Sequence, residues 1–423
     1  MKVCFITYGC SYNQADTNIM KQLLNKTKYT LVSSIDDADV IVINGCIVKN
    51  PTENKIIRCI NDLKKNDKKV IVAGCFGQVR HNKYKDFTVI GTNSLDKINE
   101  AVESAHKNKN IHFISTEKLN KCKFIEAGAK PIMIVPIAEG CLGNCTYCAT
   151  KFARTDLRSI PINVIVKLIG EALKKGTKEF WLTSQDNGCY GHDINTNIVD
   201  LLDAILSEFK ENEFQIRLGM MNPNFALQYL DDLERIFKDE HMFKFIHIPI
   251  QSGNDNILKK MNRKYSVKDF VKVVDRLKKE IKDITIATDI IVGFPTETEK
   301  QFNDTYELIE KIKPNIVNIS RFWLKKDTQA QELKQIETKT IMKRSKKLHD
   351  LMDKISKENN KRWLSWTGKI YIDEKGKREN TFFGRNYAYK NVLVKAKNIQ
   401  LGNFVNVKVI KTLGHYLIAN IIE

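Results

Sequence analysis

Short apolar runs alternate with amphipathic stretches along the first quarter of the chain. Val3-Cys-Phe-Ile-Thr-Tyr, Asp39-Val-Ile-Val-Ile-Asn, Lys69-Val-Ile-Val-Ala and Phe87-Thr-Val-Ile read as buried strands. Helical patterns fill the gaps over Asp16 to Leu24 and Asn54 to Lys65. Strands that are apolar on both faces, with helices between them, predict a doubly wound parallel sheet over residues 1–115. From about Lys130 the repeat lengthens. Six apolar runs, beginning near Met133, Phe180, Gln215, Phe245, Thr285 and Ile316, are each followed by a helical stretch. That pattern predicts a partial (βα)6 barrel over 127–358, with reactive residues at the carboxyl ends of its strands.

The last part changes period again. Residues 338–362 form a basic helical stretch that reads equally as a solvated face or a linker. Beyond Gly368, alternating runs at Lys369–Asp373, Val392–Val394, Asn403–Ile410 and Tyr416–Ala419 predict a small β-barrel over 360–423. The fold class is therefore α/β multidomain: doubly wound sheet, partial barrel, small β-barrel.

Composition adds a partner class. The 423 residues carry 69 Lys and Arg against 50 Asp and Glu, a formal charge of +19. Such an excess suits a polyanion, most simply nucleic acid, although a uniformly lysine-rich proteome would produce the same balance. The chain begins on a strand-like run without a leader pattern, and no apolar stretch approaches a membrane span. The expectation is a cytoplasmic protein with no membrane partner, its ten cysteines reduced.

Six of those cysteines form two patterns. Cys141, Cys145 and Cys148 make a C-x-x-x-C-x-x-C loop. Three thiolates on one loop hold three corners of a cubane cluster and leave one iron open. The usual guest of that open iron is S-adenosylmethionine, whose reductive cleavage supplies a radical. A zinc knuckle normally offers a fourth Cys or His nearby, and none follows in the sequence. Cys10, Cys46 and Cys75 instead stand at the ends of three successive predicted strands, each after a glycine. Ligand sites of open parallel sheets form there, so the three predict a second cluster. Cys4, Cys59 and Cys122 read as ordinary packed or exposed residues. Cys189 is undecided, because its loop could face the site.

Other strand-end residues suit S-adenosylmethionine: Tyr147 over the adenine, Ser184 and Gln185 at the amino group, Arg217 and Gln251 at the carboxylate or ribose. Each reads equally as a paired core polar group. On the small barrel, Arg385, Lys390, Phe383 and Tyr387 combine charge with aromatic faces, the ingredients for RNA binding. A barrel used only for docking remains the alternative.

Tyr8-Gly-Cys-Ser-Tyr-Asn-Gln-Ala-Asp, Glu139 to Cys148, His247-Ile-Pro-Ile-Gln-Ser-Gly, Leu258 to Tyr265 and Val292-Gly-Phe-Pro-Thr-Glu-Thr resemble the radical S-adenosylmethionine methylthiotransferases. The tail, with Gly384-Arg-Asn, resembles that family's TRAM RNA-binding domain. Gln14-Ala-Asp and Lys151-Phe-Ala-Arg are most similar to the archaeal and eukaryotic branch. Eukaryotic members carry a membrane tail that this chain lacks, which favours the archaeal type. The resemblance implies two [4Fe-4S] clusters, two S-adenosylmethionine molecules and a methylthio group added to C2 of N6-threonylcarbamoyladenosine at position 37 of tRNA. Its implied partners are the tRNA anticodon stem-loop, a flavodoxin- or ferredoxin-type electron donor and a sulfur donor. It also implies a division of work. The Cys10, Cys46 and Cys75 cluster would carry sulfur, and the Cys141, Cys145 and Cys148 cluster would generate the radical. Related enzymes that modify isopentenyladenosine or a ribosomal aspartate are the alternatives, with an RNA-binding iron–sulfur protein without catalysis as the non-enzyme reading. One departure stands out: the family's Pro-Gly-Thr turn is replaced here by Trp323-Leu-Lys-Lys-Asp-Thr.

Overall fold

A computed structural model describes residues 1–117, 119–127 and 131–422. Lys130 and Glu423, which figure in the predicted boundaries, lie outside them.

The first unit is a six-stranded, all-parallel sheet in the order β2-β1-β3-β4-β5-β6. Its strands are β1 (Lys2–Tyr8), β2 (Thr30–Val32), β3 (Val40–Gly45), β4 (Lys69–Ala73), β5 (Thr88–Ile90) and β6 (His112–Phe113). Helices α1 (Ser11–Asn25), α2 (Asn50–Lys65), α3 (Gly74–Arg80) and α4 (Ile98–His106) cover its faces. The central strand β3 is buried at every position, and its side chains divide between two cores, one per face. Both-face burial explains its unbroken apolar run. The two strands missing from the sequence reading, β2 and β6, are short edge strands.

The second unit holds the six expected strands: β7 (Ile132–Pro136), β10 (Glu179–Thr183), β11 (Gln215–Leu218), β12 (Phe245–His247), β13 (Thr285–Val292) and β14 (Ile316–Arg321). They form two parallel triplets, β11-β10-β7 and β12-β13-β14. The triplets join through an isolated Ile216–Met242 bridge and the Met221 N–H to His247 carbonyl bond of 3.0 Å. A tiny hairpin of β8 (Ala138–Glu139) and β9 (Arg158–Ser159) brackets the cysteine loop. Helix α5 (Thr150–Ala153) packs against the first unit, and helices from α6 (Ile162–Lys174) onward pack outside the strands. Inside, the pleat alternates: Phe180 and Leu182 are wholly buried against the helices, whereas Trp181 faces the lumen beside Arg217.

The third unit is a closed five-stranded barrel, β15-β16-β17-β19-β18. It comprises β15 (Thr367–Lys375), β16 (Thr381–Arg385), β17 (Asn391–Lys395), β18 (Phe404–Thr412) and β19 (Leu417–Ile421). The strand not foreseen is β16. The basic helix Thr338–Lys361 is not simply a solvated face. Its Arg344 turns inward and pairs with Glu297 at 2.9 Å and Glu299 at 3.0 Å. In the altered turn after β14, Asp327 takes a left-handed φ of 68°, and the Thr328 hydroxyl donates to the Lys325 carbonyl at 2.7 Å. Lys325 itself is buried and pairs with Glu53 of α2 at 2.7 Å, tying that turn to the first unit.

Candidate functional site: two cysteine triads across one interface

The strand ends do bring Cys10, Cys46 and Cys75 together. The Cys10 and Cys75 thiols both point at Asn13 Oδ1, 3.6 and 3.8 Å away. The Val48 N–H reaches the Cys46 sulfur at 3.5 Å. Gly74 holds a φ of 77° directly before Cys75, and a Cβ there would collide with the Asn44 side chain. Only glycine turns the chain at that strand end. Burial, with Cys75 nearby, pushes the Cys46 thiol up to about 12, and burial raises Cys75 as well. Two buried thiols, Cys46 and Cys75, with the exposed Cys10 beside them, form a soft donor set whose buried members gain charge most readily with cations bound among them, which suits ferric and ferrous iron.

The loop triad is half-buried and has more donors around it. The Gly143 N–H donates to the Cys141 sulfur at 3.1 Å, and Arg263 Nη1 donates to the Cys145 sulfur at 2.9 Å. A Cβ on Gly143 would lie 3.2 Å from the Cys141 sulfur and 3.8 Å from that of Cys145. The loop thus leaves open the space its sulfurs share. Burial, then the neighbouring Cys145, raises Cys148. Soft thiol donors with N–H groups aimed at the sulfurs fit an anionic iron–sulfur cluster at each triad.

Between the triads lies a buried ionic network that the sequence reading did not single out. Arg154 pairs with Asp16 of α1 and with Glu139 before the loop; Lys121 bridges the same two carboxylates at 3.0 and 2.7 Å. The Arg154 guanidinium also stacks 4.3 Å from the Tyr12 ring centroid. Burial would push the Asp16 carboxyl up, yet Arg154 and Lys121 outweigh it and hold it below the usual range. Burial likewise disfavours the Arg154 cation, and Asp16, Cys75 and Glu139 restore it. Asp16, Glu139 and Arg154 stood inside the runs that carried the family resemblance, which was the available signal. The loop also brings Cys189 beside Cys141: their sulfurs and an Asp186 oxygen lie within 4.8 Å of one another. Cys189 is wholly buried and donates to the Asp186 carbonyl at 3.0 Å.

The structure divides the other candidate residues. Tyr147 and Gln251 line a cavity of about 430 Å³ beside Cys148. Gln185 accepts the Gly140 N–H at 2.6 Å and so shapes the cysteine loop, while Ser184 donates to Asn187 at 2.9 Å. Arg217 does not line that cavity. It stacks on Trp181, Phe245 and Tyr389, with ring centroids 5.5, 5.2 and 5.7 Å away, where the small barrel closes the lumen.

On that barrel, Arg385, Lys390 and Tyr387 are turned inward. Arg385 pairs with Asp373 at 2.9 Å and lies 4.2 Å from the Tyr389 ring. Lys390 donates to Asn360 at 3.1 Å, and Tyr387 donates to Asp283 of the second unit at 2.6 Å. Phe383 is half-buried, edge-on to Tyr416. Tyr387, Lys390 and Arg385, whose guanidinium also lies 6.0 Å from the Trp181 ring centroid, serve docking in this structure, whereas Lys375, Lys377, Arg378, Lys395 and Lys397 stay exposed.

Residues 135–309 match the Radical SAM superfamily, and residues 2–90 match the uncharacterized protein family UPF0004. Probable threonylcarbamoyladenosine tRNA methylthiotransferases of Archaeoglobus fulgidus and Pyrococcus horikoshii are 41% and 39% identical. Both alignments cover 100% of this chain, with 99% and 100% of those proteins. The human threonylcarbamoyladenosine tRNA methylthiotransferase is 33% identical over 98% of this chain and 73% of its own length. This chain belongs to the threonylcarbamoyladenosine tRNA methylthiotransferase family. It is a radical SAM enzyme by that membership. Among solved structures, the radical S-adenosylmethionine methyltransferase TsrM of Kitasatospora setae matches with a TM-score of 0.58. That match covers 78% of this chain and 77% of TsrM at 10% identity, a likeness of fold alone. Among the described residues, no helix is long and apolar enough to cross a membrane.

Proposed function

We propose that this chain holds two [4Fe-4S] clusters, on Cys10, Cys46 and Cys75 and on Cys141, Cys145 and Cys148. With two S-adenosylmethionine molecules it adds a methylthio group to C2 of N6-threonylcarbamoyladenosine at position 37 of tRNA. The observation that carries the reading is the convergence of a second thiol triad, assembled from three strand ends, onto the interface with the first. A methyltransferase without sulfur insertion has no use for it.

When bound, the loop cluster and S-adenosylmethionine supply the one-electron chemistry needed at an unreactive adenine C–H. The chain's own residues do the positioning. Gly143 and Arg263 donate to the loop sulfurs, and Gln185 fixes the loop through Gly140. The Asp16–Arg154–Glu139–Lys121 network clamps the two cysteine-bearing units against each other. Tyr147 and Gln251 offer the cofactor or substrate an aromatic face and an amide in the cavity between them. The exposed cations Lys375, Lys377, Arg378, Lys395 and Lys397 fall on neighbouring turns joined by the Ala396 N–H to Asn380 carbonyl bond of 2.9 Å. They are the surface we assign to tRNA phosphates. Electrons and sulfur come from separate donors in the cytoplasm.

Mass spectrometry of tRNA nucleosides from cells with and without the gene tests the substrate. Loss of the methylthio derivative of threonylcarbamoyladenosine is expected; an unchanged nucleoside profile would overturn the assignment.

A further inference from the structure

The cavity beside Cys148 is lined by three cations in unequal situations; Lys325 is already paired with Glu53 at 2.7 Å. Lys49 enters from the first unit, three residues after Cys46, and is exposed. Its charge already has a counterpart in Asp289. That carboxylate accepts from His247 Nε2 at 3.0 Å and from Asn318 at 2.8 Å. Burial works against its charge, and the His247 bond, Asn318 and Lys49 together hold it below the usual range. Arg321 enters from the other side, at the carboxyl end of the edge strand β14, and is half-buried. Among the described residues no carboxylate lies within salt-bridge distance of it. Its guanidinium instead lies 5.5 Å from the Trp323 ring centroid. A half-buried, unpaired guanidinium resting on an aromatic face is a receptor for a planar anion.

We propose that Arg321 receives the carboxylate of the threonylcarbamoyl group on adenine N6. The inference rests on the function proposed above and names the residue that makes the site selective for that substrate. The adenine ring sets the geometry. N6 lies across N1 from C2, so a base whose C2 faces the cysteine triads carries its N6 substituent about one base width away. The aromatic lining by Tyr147 and Trp323 suits the base itself. A site built to pair with an anion rejects an analogue lacking it, because the guanidinium is left half-buried and unpaired.

A backbone phosphate or the carboxylate of S-adenosylmethionine offers related chemistry, and the test separates all three. Anticodon stem-loops bearing threonylcarbamoyladenosine, its neutral methyl ester or plain adenosine at position 37 are titrated onto the cluster-loaded, full-length protein at saturating S-adenosylmethionine. The native protein is expected to bind the acid about tenfold more tightly than the ester, the size of one charge-assisted contact. Arg321→Met lowers acid binding to the ester level and leaves ester binding unchanged, and Arg321→Lys recovers part of the difference. Equal weakening of acid and ester would assign Arg321 to a phosphate, and weakened S-adenosylmethionine binding would assign it to the cofactor. Either result overturns the inference, as does a native protein that does not prefer the acid. If the native protein makes no methylthio product on any of the three RNAs, the proposed function itself fails.

Discussion

The two cysteine triads reach similar sites by opposite routes. Cys141, Cys145 and Cys148 are neighbours in sequence, and one short loop with glycines at 140 and 143 suffices to present them. Cys10, Cys46 and Cys75 are spread over 66 residues and meet only because β1, β3 and β4 are adjacent parallel strands ending at the same edge. The loop triad depends on local backbone geometry. The strand-end triad depends on the whole sheet being folded in register. The first is therefore the more robust to damage elsewhere, and the second reports on the integrity of its unit.

The largest expected effect breaks the two sites independently. Native protein reconstituted without oxygen should hold about eight irons per chain, as two cubanes require. Replacing either triad by alanine should leave about four, measured by iron and sulfide analysis. A native count near four would leave one triad without a cluster. Next in size is the clamp between the sites. Arg154→Met leaves Asp16 and Glu139 buried with Lys121 alone, at a cost of about 3–5 kcal/mol. Chemical denaturation should register it. The same variant should lose the strand-end cluster in preference to the loop cluster, because Arg154 also contacts Cys75.

A smaller effect, of opposite sign, is expected at the far end of the lumen. Burial, with Asp373 adding to it, pushes the wholly buried Glu179 carboxyl up to about 8, against the opposing pull of Arg385, Trp181 and Arg217. Its folded-state value lies above the unfolded one, so the folded protein holds this proton more tightly. Stability is lost as pH rises from the usual glutamate range, about 4.3, to about 8. Glu179→Gln, which can still accept from Trp181, should raise Tm by a few degrees at pH 8 and hardly at all at pH 5. Smallest of all, Cys122→Ser should change neither iron content nor product, since its half-buried thiol belongs to neither triad.

What the sequence revealed follows the same contrast. Strand-end cysteines were readable because apolar runs mark strands and the residue after a run marks the edge. The short edge strands Thr30–Val32 and His112–Phe113 lack enough residues to show a period. Strand Thr381–Arg385 was hidden because Thr-Phe-Phe-Gly-Arg reads as a turn with a basic, aromatic surface. In the fold, Phe382 and Gly384 face the barrel core while Arg385 lies 6.0 Å from the Trp181 ring centroid of the second unit. Periodicity tells which residues share a face, not what covers that face, so Arg385, Lys390 and Tyr387 were read as meeting RNA when they meet protein. Arg217 failed for the same reason. Cys189 could be placed beside Cys141 only once the loop from 184 to 190 was folded against it.

The division of work between the triads is tested most directly by product analysis of two single variants supplied with S-adenosylmethionine, reductant and tRNA. Cys145→Ala should release no deoxyadenosine. Cys46→Ala should still release it and form no methylthio nucleoside. Methylthio product from the Cys46 variant would contradict the account.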